Sequence, residues 1–112
     1  MLSKDHHCLE SIIEAADRII EYTSGIQSAD ELNDDCKSFD AALMNFVIIG
    51  EMVAKLSKDF KKKHSEIEWV KIKGLRNIVA HDYFGVDAEE VWQIIRNKIP
   101  VLKQDCQQLL DE

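Results

Sequence analysis

Apolar residues in this chain recur at three- and four-residue intervals and nowhere alternate, which is the periodicity of helices rather than strands. Over residues 4–23, Leu9, Ile12, Ile13, Ala16, Ile19 and Ile20 form one stripe, predicting a first amphipathic helix. Ser24 and Gly25 should end it, glycine being suited to the left-handed stop of a helix. A short helix is predicted over 28–36, with Ser28 as its N-cap. Residues 39–57 are apolar on most sides, with Phe39, Leu43, Phe46, Ile49 and Val53 among them. A helix with so little polar face is central, or is covered by a second copy of the protein. Gly50 in its interior costs about 1 kcal/mol relative to alanine, and a close helix–helix crossing would explain its presence. Glu51 and Lys55 stand in the favourable i,i+4 order and read as surface support first, as part of a site second.

Residues 60–68 are charged and are expected to be irregular or a single turn. Trp69 opens a further helix to about residue 80, with Val70, Ile72, Leu75, Ile78 and Val79 on its buried side and Gly74 at a close packing point. The pattern fails after His81, where Asp82, Tyr83, Phe84 and Gly85 have turn character. Asp87 caps the last long helix, Glu90 completing a capping box. Pro100 should kink or restart that helix. The expected architecture is all-α: four main helices plus a short one, a single domain over residues 1–112. The apolar central helix makes a homodimer the expected assembly.

Composition changes this picture little. The chain is 46% hydrophobic and 31% charged, and no apolar run approaches the roughly 18 residues of a membrane span. Its start, MLSKDHHCLE, carries charge where a signal peptide is apolar, so a cytoplasmic location is expected and no membrane partner. Cys8, Cys36 and Cys106 are scattered and odd in number, which speaks for buried or half-buried free thiols and against a disulfide framework or a zinc site. His6, His7 and Cys8 are adjacent on a helix and point apart, so ordinary N-terminal side chains are the expected reading. His64 is expected in solvent, and Trp69 and Trp92 in the core.

Charge is unevenly placed. The net charge is −7, yet residues 55–76 hold eight Lys and Arg against three acids, a local net of +5. The remaining six basic and eighteen acidic residues make −12. A basic stretch on an acidic body can attract a polyanion locally, although a solvated helix end accounts for it as well.

Candidate chemistry concentrates in RNIVAHDY, residues 76–83. Arg76, Asn77, His81, Asp82 and Tyr83 place five polar side chains at the end of one helix and the start of a turn. On an ideal helix Asn77 and His81 share a face, whereas Arg76 and His81 splay unless the helix loosens. A two-fold axis could bring both pairs into one cleft. Arginine offers a permanent forked cation that matches phosphate, and histidine can take a proton from a ribose 2′-hydroxyl or give one to a leaving oxygen. That pairing cuts RNA without metal, and the cluster lacks the carboxylates of a magnesium nuclease. Short motifs are weak, and an Arg and a His satisfying the carbonyls of a helix C-terminus explain the same residues. No glycine-rich phosphate loop is present, so ATP binding of the P-loop kind is not expected.

Taken in order, the segments resemble the HepT-like toxins of the HEPN superfamily, small helical partners of a minimal nucleotidyltransferase antitoxin. The family pattern of Arg, four residues, His, one residue, Tyr is met by Arg76, NIVA, His81, Asp82 and Tyr83. The likeness continues through IIGEMVAKLS at 48–57, IEWVKIKGLRN at 67–77, YFGVDAEEVW at 83–92 and IP at 99–100, and more loosely RIIEYTSG in the first helix. Glu68 departs from it, since relatives often have proline before the tryptophan. The resemblance implies a HEPN-type bundle that dimerises and acts on RNA as a metal-independent endoribonuclease, with no cofactor. By position Arg76 would hold the scissile phosphate and His81 would be the acid and base, with Asn77 and Asp82 as supporting polar residues. The antitoxin would transfer AMP from ATP to Tyr83, and so switch the toxin off. Some HEPN proteins bind without cutting, so a non-catalytic dimer serving as a binding or regulatory subunit of the nucleotidyltransferase is the alternative. A purely structural helical oligomer would leave the polar cluster unexplained.

Overall fold

The computed structural model describes residues 3–82 and 85–112, and of residues 80–82 the backbone alone. Among these residues the elements are α1 (Ser3–Tyr22), α2 (Ala29–Asp34), α3 (Cys36–Lys55), α4 (Lys58–Lys63), α5 (Trp69–Lys73), α6 (Leu75–Asp82), α7 (Ala88–Asn97) and α8 (Ile99–Asp111), with no strand. They form a helical bundle with α3 at its centre, packed against α1, α2, α5 and α6. The central placing expected from its apolar sides is met: Ala42, Leu43, Phe46, Ile49 and Val53 are all buried. Helix α8 lies along α1, and α7 along α2. One continuous cluster of buried apolar side chains joins these elements, Trp69 and Trp92 included.

Local chemistry starts and stops each helix. The stripe of α1 buries Leu9, Ile12, Ala16 and Ile19, while Ile20 at its edge stays exposed. Gly25 does not act as the expected left-handed stop, because no described glycine has a positive φ. Thr23 ends α1 instead: its buried hydroxyl donates to the Ile19 carbonyl at 2.8 Å. Ser28 caps α2 as expected, accepting from the Glu31 amide at 3.1 Å. Asp35 caps α3, its carboxylate accepting from the Ser38 amide and hydroxyl at 3.1 and 2.9 Å. Those bonds, the amide first, hold the Asp35 carboxyl below the usual carboxylate range. At α7 the Asp87 carboxylate takes the Glu89 amide at 2.9 Å. The expected box does not close, since Glu90 makes no return bond among the described residues.

One expectation about length needs correction, and two others are met. Residues 60–68 begin with the single turn allowed for them: Lys58–Lys63 is a short helix, capped by Ser57 and held by buried Phe60. The helix expected from Trp69 to about 80 is two helices divided at Gly74. There the Gly74 carbonyl accepts from the Asn77 amide at 3.0 Å, an i,i+3 bond that tightens the turn. The last helix restarts after Lys98 as expected, with Pro100 in the first turn of α8, where its ring is favoured. His64 is not solvated, its ring lying 4.7 Å from that of Phe60 with the side chain 12% exposed.

Asp5 holds the two ends of the chain's first half together. Its carboxylate is 2% exposed. It accepts from the Ser57 amide at 2.7 Å and the Ser57 hydroxyl at 2.8 Å, which joins the start of α1 to the α3–α4 junction. Of the cysteines, Cys8 and Cys106 are buried, but Cys36 is exposed at the start of α3. Among the described residues no helix is long and apolar enough to cross a membrane.

Candidate active site

Gly50 determines where Arg76 sits. A Cβ built at position 50 would lie 2.8 Å from the Arg76 Cβ, 2.9 Å from the Lys73 carbonyl oxygen and 3.1 Å from the Arg76 nitrogen. Only a glycine lets the α5–α6 junction lie this close to α3, which is the close crossing expected for Gly50. Gly74 is tight as well, a Cβ there falling 3.1 Å from the Lys71 carbonyl oxygen. Buried Leu75 and half-buried Ile78 and Val79 anchor α6 to the core.

From this position the Arg76 guanidinium reaches back to α3. Its Nη1 donates to Glu51 Oε1 at 3.0 Å, with the side chains 31% and 48% exposed. The expected Glu51–Lys55 surface pair is not formed among the described residues; Glu51 belongs to Arg76. The i,i+4 spacing to Lys55 points to surface support, whereas the signal for this contact is the place of Glu51 beside Gly50. A residue next to a close crossing flanks the crossing helix.

Asn77 follows Arg76 on α6 and is exposed. The backbone of α6 remains helical through His81 and Asp82, about two residues beyond the expected end. The side chains of His81 and Asp82, and the whole of Tyr83, lie outside the described residues. Arg76 and Glu51 are thus the site groups seen in contact, and Asn77 lies beside them in sequence.

The other candidate clusters stay separate. His6 Nε2 and His7 Nδ1 stand 3.5 and 3.6 Å from Glu10, as N-terminal side chains on a helix surface. Cys8 faces the core, where burial first and Asp5 second push its thiol pKa up. Cys106 is pushed up to about 12, chiefly by burial. Neither buried thiol is ionised near neutrality, so neither is a ready nucleophile.

With this geometry in place, comparison with known proteins adds a family. Residues 12–109 match the family described as ribonuclease HepT-like. A protein of Caldanaerobacter subterraneus named "Putative RNase" is 35% identical over 93% of this chain and 92% of its own length. One of Thermococcus cleftensis named "Probable ribonuclease HepT" is 38% identical over 90% of this chain and 91% of its own. A third, from Methanocaldococcus jannaschii and again named "Putative RNase", is 32% identical over 88% and 90%. No solved structure matches the chain.

Proposed function

The chain belongs to the ribonuclease HepT-like family, and from that premise we propose that it is a metal-independent endoribonuclease, the toxin of a toxin–antitoxin pair. The observation that carries this reading is the anchoring of Arg76. Gly50 and the α5–α6 junction fix its backbone, and among the described residues its guanidinium is held at the surface by one exposed carboxylate, Glu51. A forked cation in a fixed place, half open to solvent, is what a phosphodiester oxygen needs to meet.

In the proposed reaction the imidazole of His81 takes the proton of a ribose 2′-hydroxyl. The freed oxygen attacks the adjacent phosphorus and expels the 5′-oxygen, which leaves with a proton from a second imidazole. Arg76 offsets the charge that builds on the phosphoryl oxygens. The products are a 2′,3′-cyclic phosphate and a 5′-hydroxyl end. A helical backbone through Asp82 supports a site completed by a second chain, since five positions along a helix carry His81 about 140° round from Arg76. The active form is then a homodimer with both motifs in one cleft. Asn77 and Asp82 would supply further hydrogen bonds. Tyr83 is the proposed point of control: AMP placed there by a nucleotidyltransferase adds a phosphate that competes with RNA for Arg76.

The test is cleavage of RNA in the presence of EDTA by wild type, Arg76→Ala and His81→Ala, read with the oligomeric state of each. Wild type should cut, leaving cyclic phosphate ends, and each variant should lose at least about a hundredfold in rate. Equal activity in all three would overturn the assignment. Co-expression with the nucleotidyltransferase should add one adenylyl mass to wild type and none to Tyr83→Phe.

A second reading, a non-catalytic dimer that serves the nucleotidyltransferase as a binding subunit, draws on the net charge of −7. It would be selected by complex formation without cleavage.

A further inference from the structure

The basic stretch of the sequence folds into one surface. Helices α4 and α5 and the loop between them enclose an open cleft of about 640 Å³ lined by Lys58, Lys61, Lys62, Lys71 and Lys73. Its floor is apolar, with Val53 and Ile67 buried and Val70 85% exposed. The five lysines are not equivalent. The Lys61 ammonium donates to the Val53 carbonyl at 3.3 Å, and Lys71 pairs with Glu68 at 3.2 Å. Lys58, Lys62 and Lys73 are exposed and have no ion pair among the described residues. The cleft adjoins the site through the backbone: the Lys73 carbonyl oxygen and the Arg76 Cβ lie against the same point of α3 at Gly50.

We infer that this cleft is the track for the single-stranded RNA backbone flanking the phosphate that Arg76 holds. The inference rests on the ribonuclease reading for the identity of that phosphate. Three exposed lysines on α4 and α5, without an ion pair among the described residues, line this cleft, and Arg76 follows three residues after the last of them. A chain of evenly spaced phosphates can engage them in succession, while the exposed apolar floor meets the faces of unstacked bases. The rest of the chain is acidic on balance, with a net of −12 outside residues 55–76, which favours a polyanion here over the remainder of the molecule. An acidic protein segment could satisfy the lysines, but nothing would lead it onward to Arg76.

The test is binding of a fluorescent, fully 2′-O-methylated RNA, whose blocked hydroxyls prevent cleavage, across a range of salt concentrations. Lys58→Gln/Lys62→Gln/Lys73→Gln should bind about tenfold or more weakly at low salt. Its log–log salt slope should be smaller by about two, since each phosphate neutralised on a single strand contributes about 0.7. Lys37→Glu, at an exposed position about 20 Å along α3 from Gly50, serves as a control and should match wild type. If the triple variant proves unfolded by circular dichroism, Lys62→Gln alone should still lower the slope by about 0.7. Unchanged affinity and slope in these variants would overturn the cleft, as would binding that only an acidic polypeptide shows. The two readings fail separately. Wild type that binds through the cleft yet never cuts unblocked RNA removes the ribonuclease and leaves the track. Cleavage with no dependence on the lysines does the reverse.

Discussion

Arg76 is fixed at two points, its backbone against Gly50 and its guanidinium on Glu51, and each can be tested alone. On helix propensity Gly50→Ala should stabilise by about 1 kcal/mol. The new methyl would meet the Lys73 carbonyl oxygen at 2.9 Å, backbone that cannot rotate away, and such overpacking costs about 1–3 kcal/mol. The expected result is a lower melting temperature together with reduced RNA cleavage, whereas a raised melting temperature would show that the junction gives way. Glu51 acts differently. Its pair with Arg76 is half exposed and contributes no more than about 1 kcal/mol, so Glu51→Gln should leave stability within that range. The same carboxylate occupies the guanidinium that phosphate must reach. Its removal should tighten binding of 2′-O-methyl RNA by up to about fivefold; weaker binding would mean that Glu51 orients Arg76 rather than competing for it.

The contacts that the sequence did not reveal are those set by particular polar partners, near or distant, rather than by apolar spacing. The stripe of α1, the central α3 and the restart at Pro100 were legible because each follows from spacing of apolar residues or from one ring. Thr23 ending α1 in place of Gly25, the division at Gly74 and the pairing of Glu51 with Arg76 were not. Each depends on which hydroxyl, carbonyl or guanidinium the fold brings near. Within the candidate site the motif named Arg76 and Asn77, while the partner of Arg76 lay 25 residues upstream. Asp5 is the extreme case, a buried carboxylate whose acceptors serve Ser57 52 residues away. Asp5→Ala leaves the half-buried Ser57 amide and hydroxyl without their partner, which costs about 1–3 kcal/mol. The urea midpoint should fall accordingly, and Asp5→Asn, which keeps one acceptor, should lie between the two.

At the scale of the whole molecule, the acidic body and the basic α4–α6 surface divide the work of repelling and receiving an anion. The proposed dimer would set two such surfaces about a shared cleft, and its geometry needs a ruler. The chain carries one. Cys36 is exposed, while Cys8 and Cys106 are buried, and burial raises both thiols. A thiol-directed spin label at neutral pH should therefore settle on Cys36 alone, with no engineered cysteine. Two labelled copies would report their separation as one distance distribution. Recording it with and without the nucleotidyltransferase would tell whether the proposed control at Tyr83 moves the subunits apart or leaves their arrangement untouched.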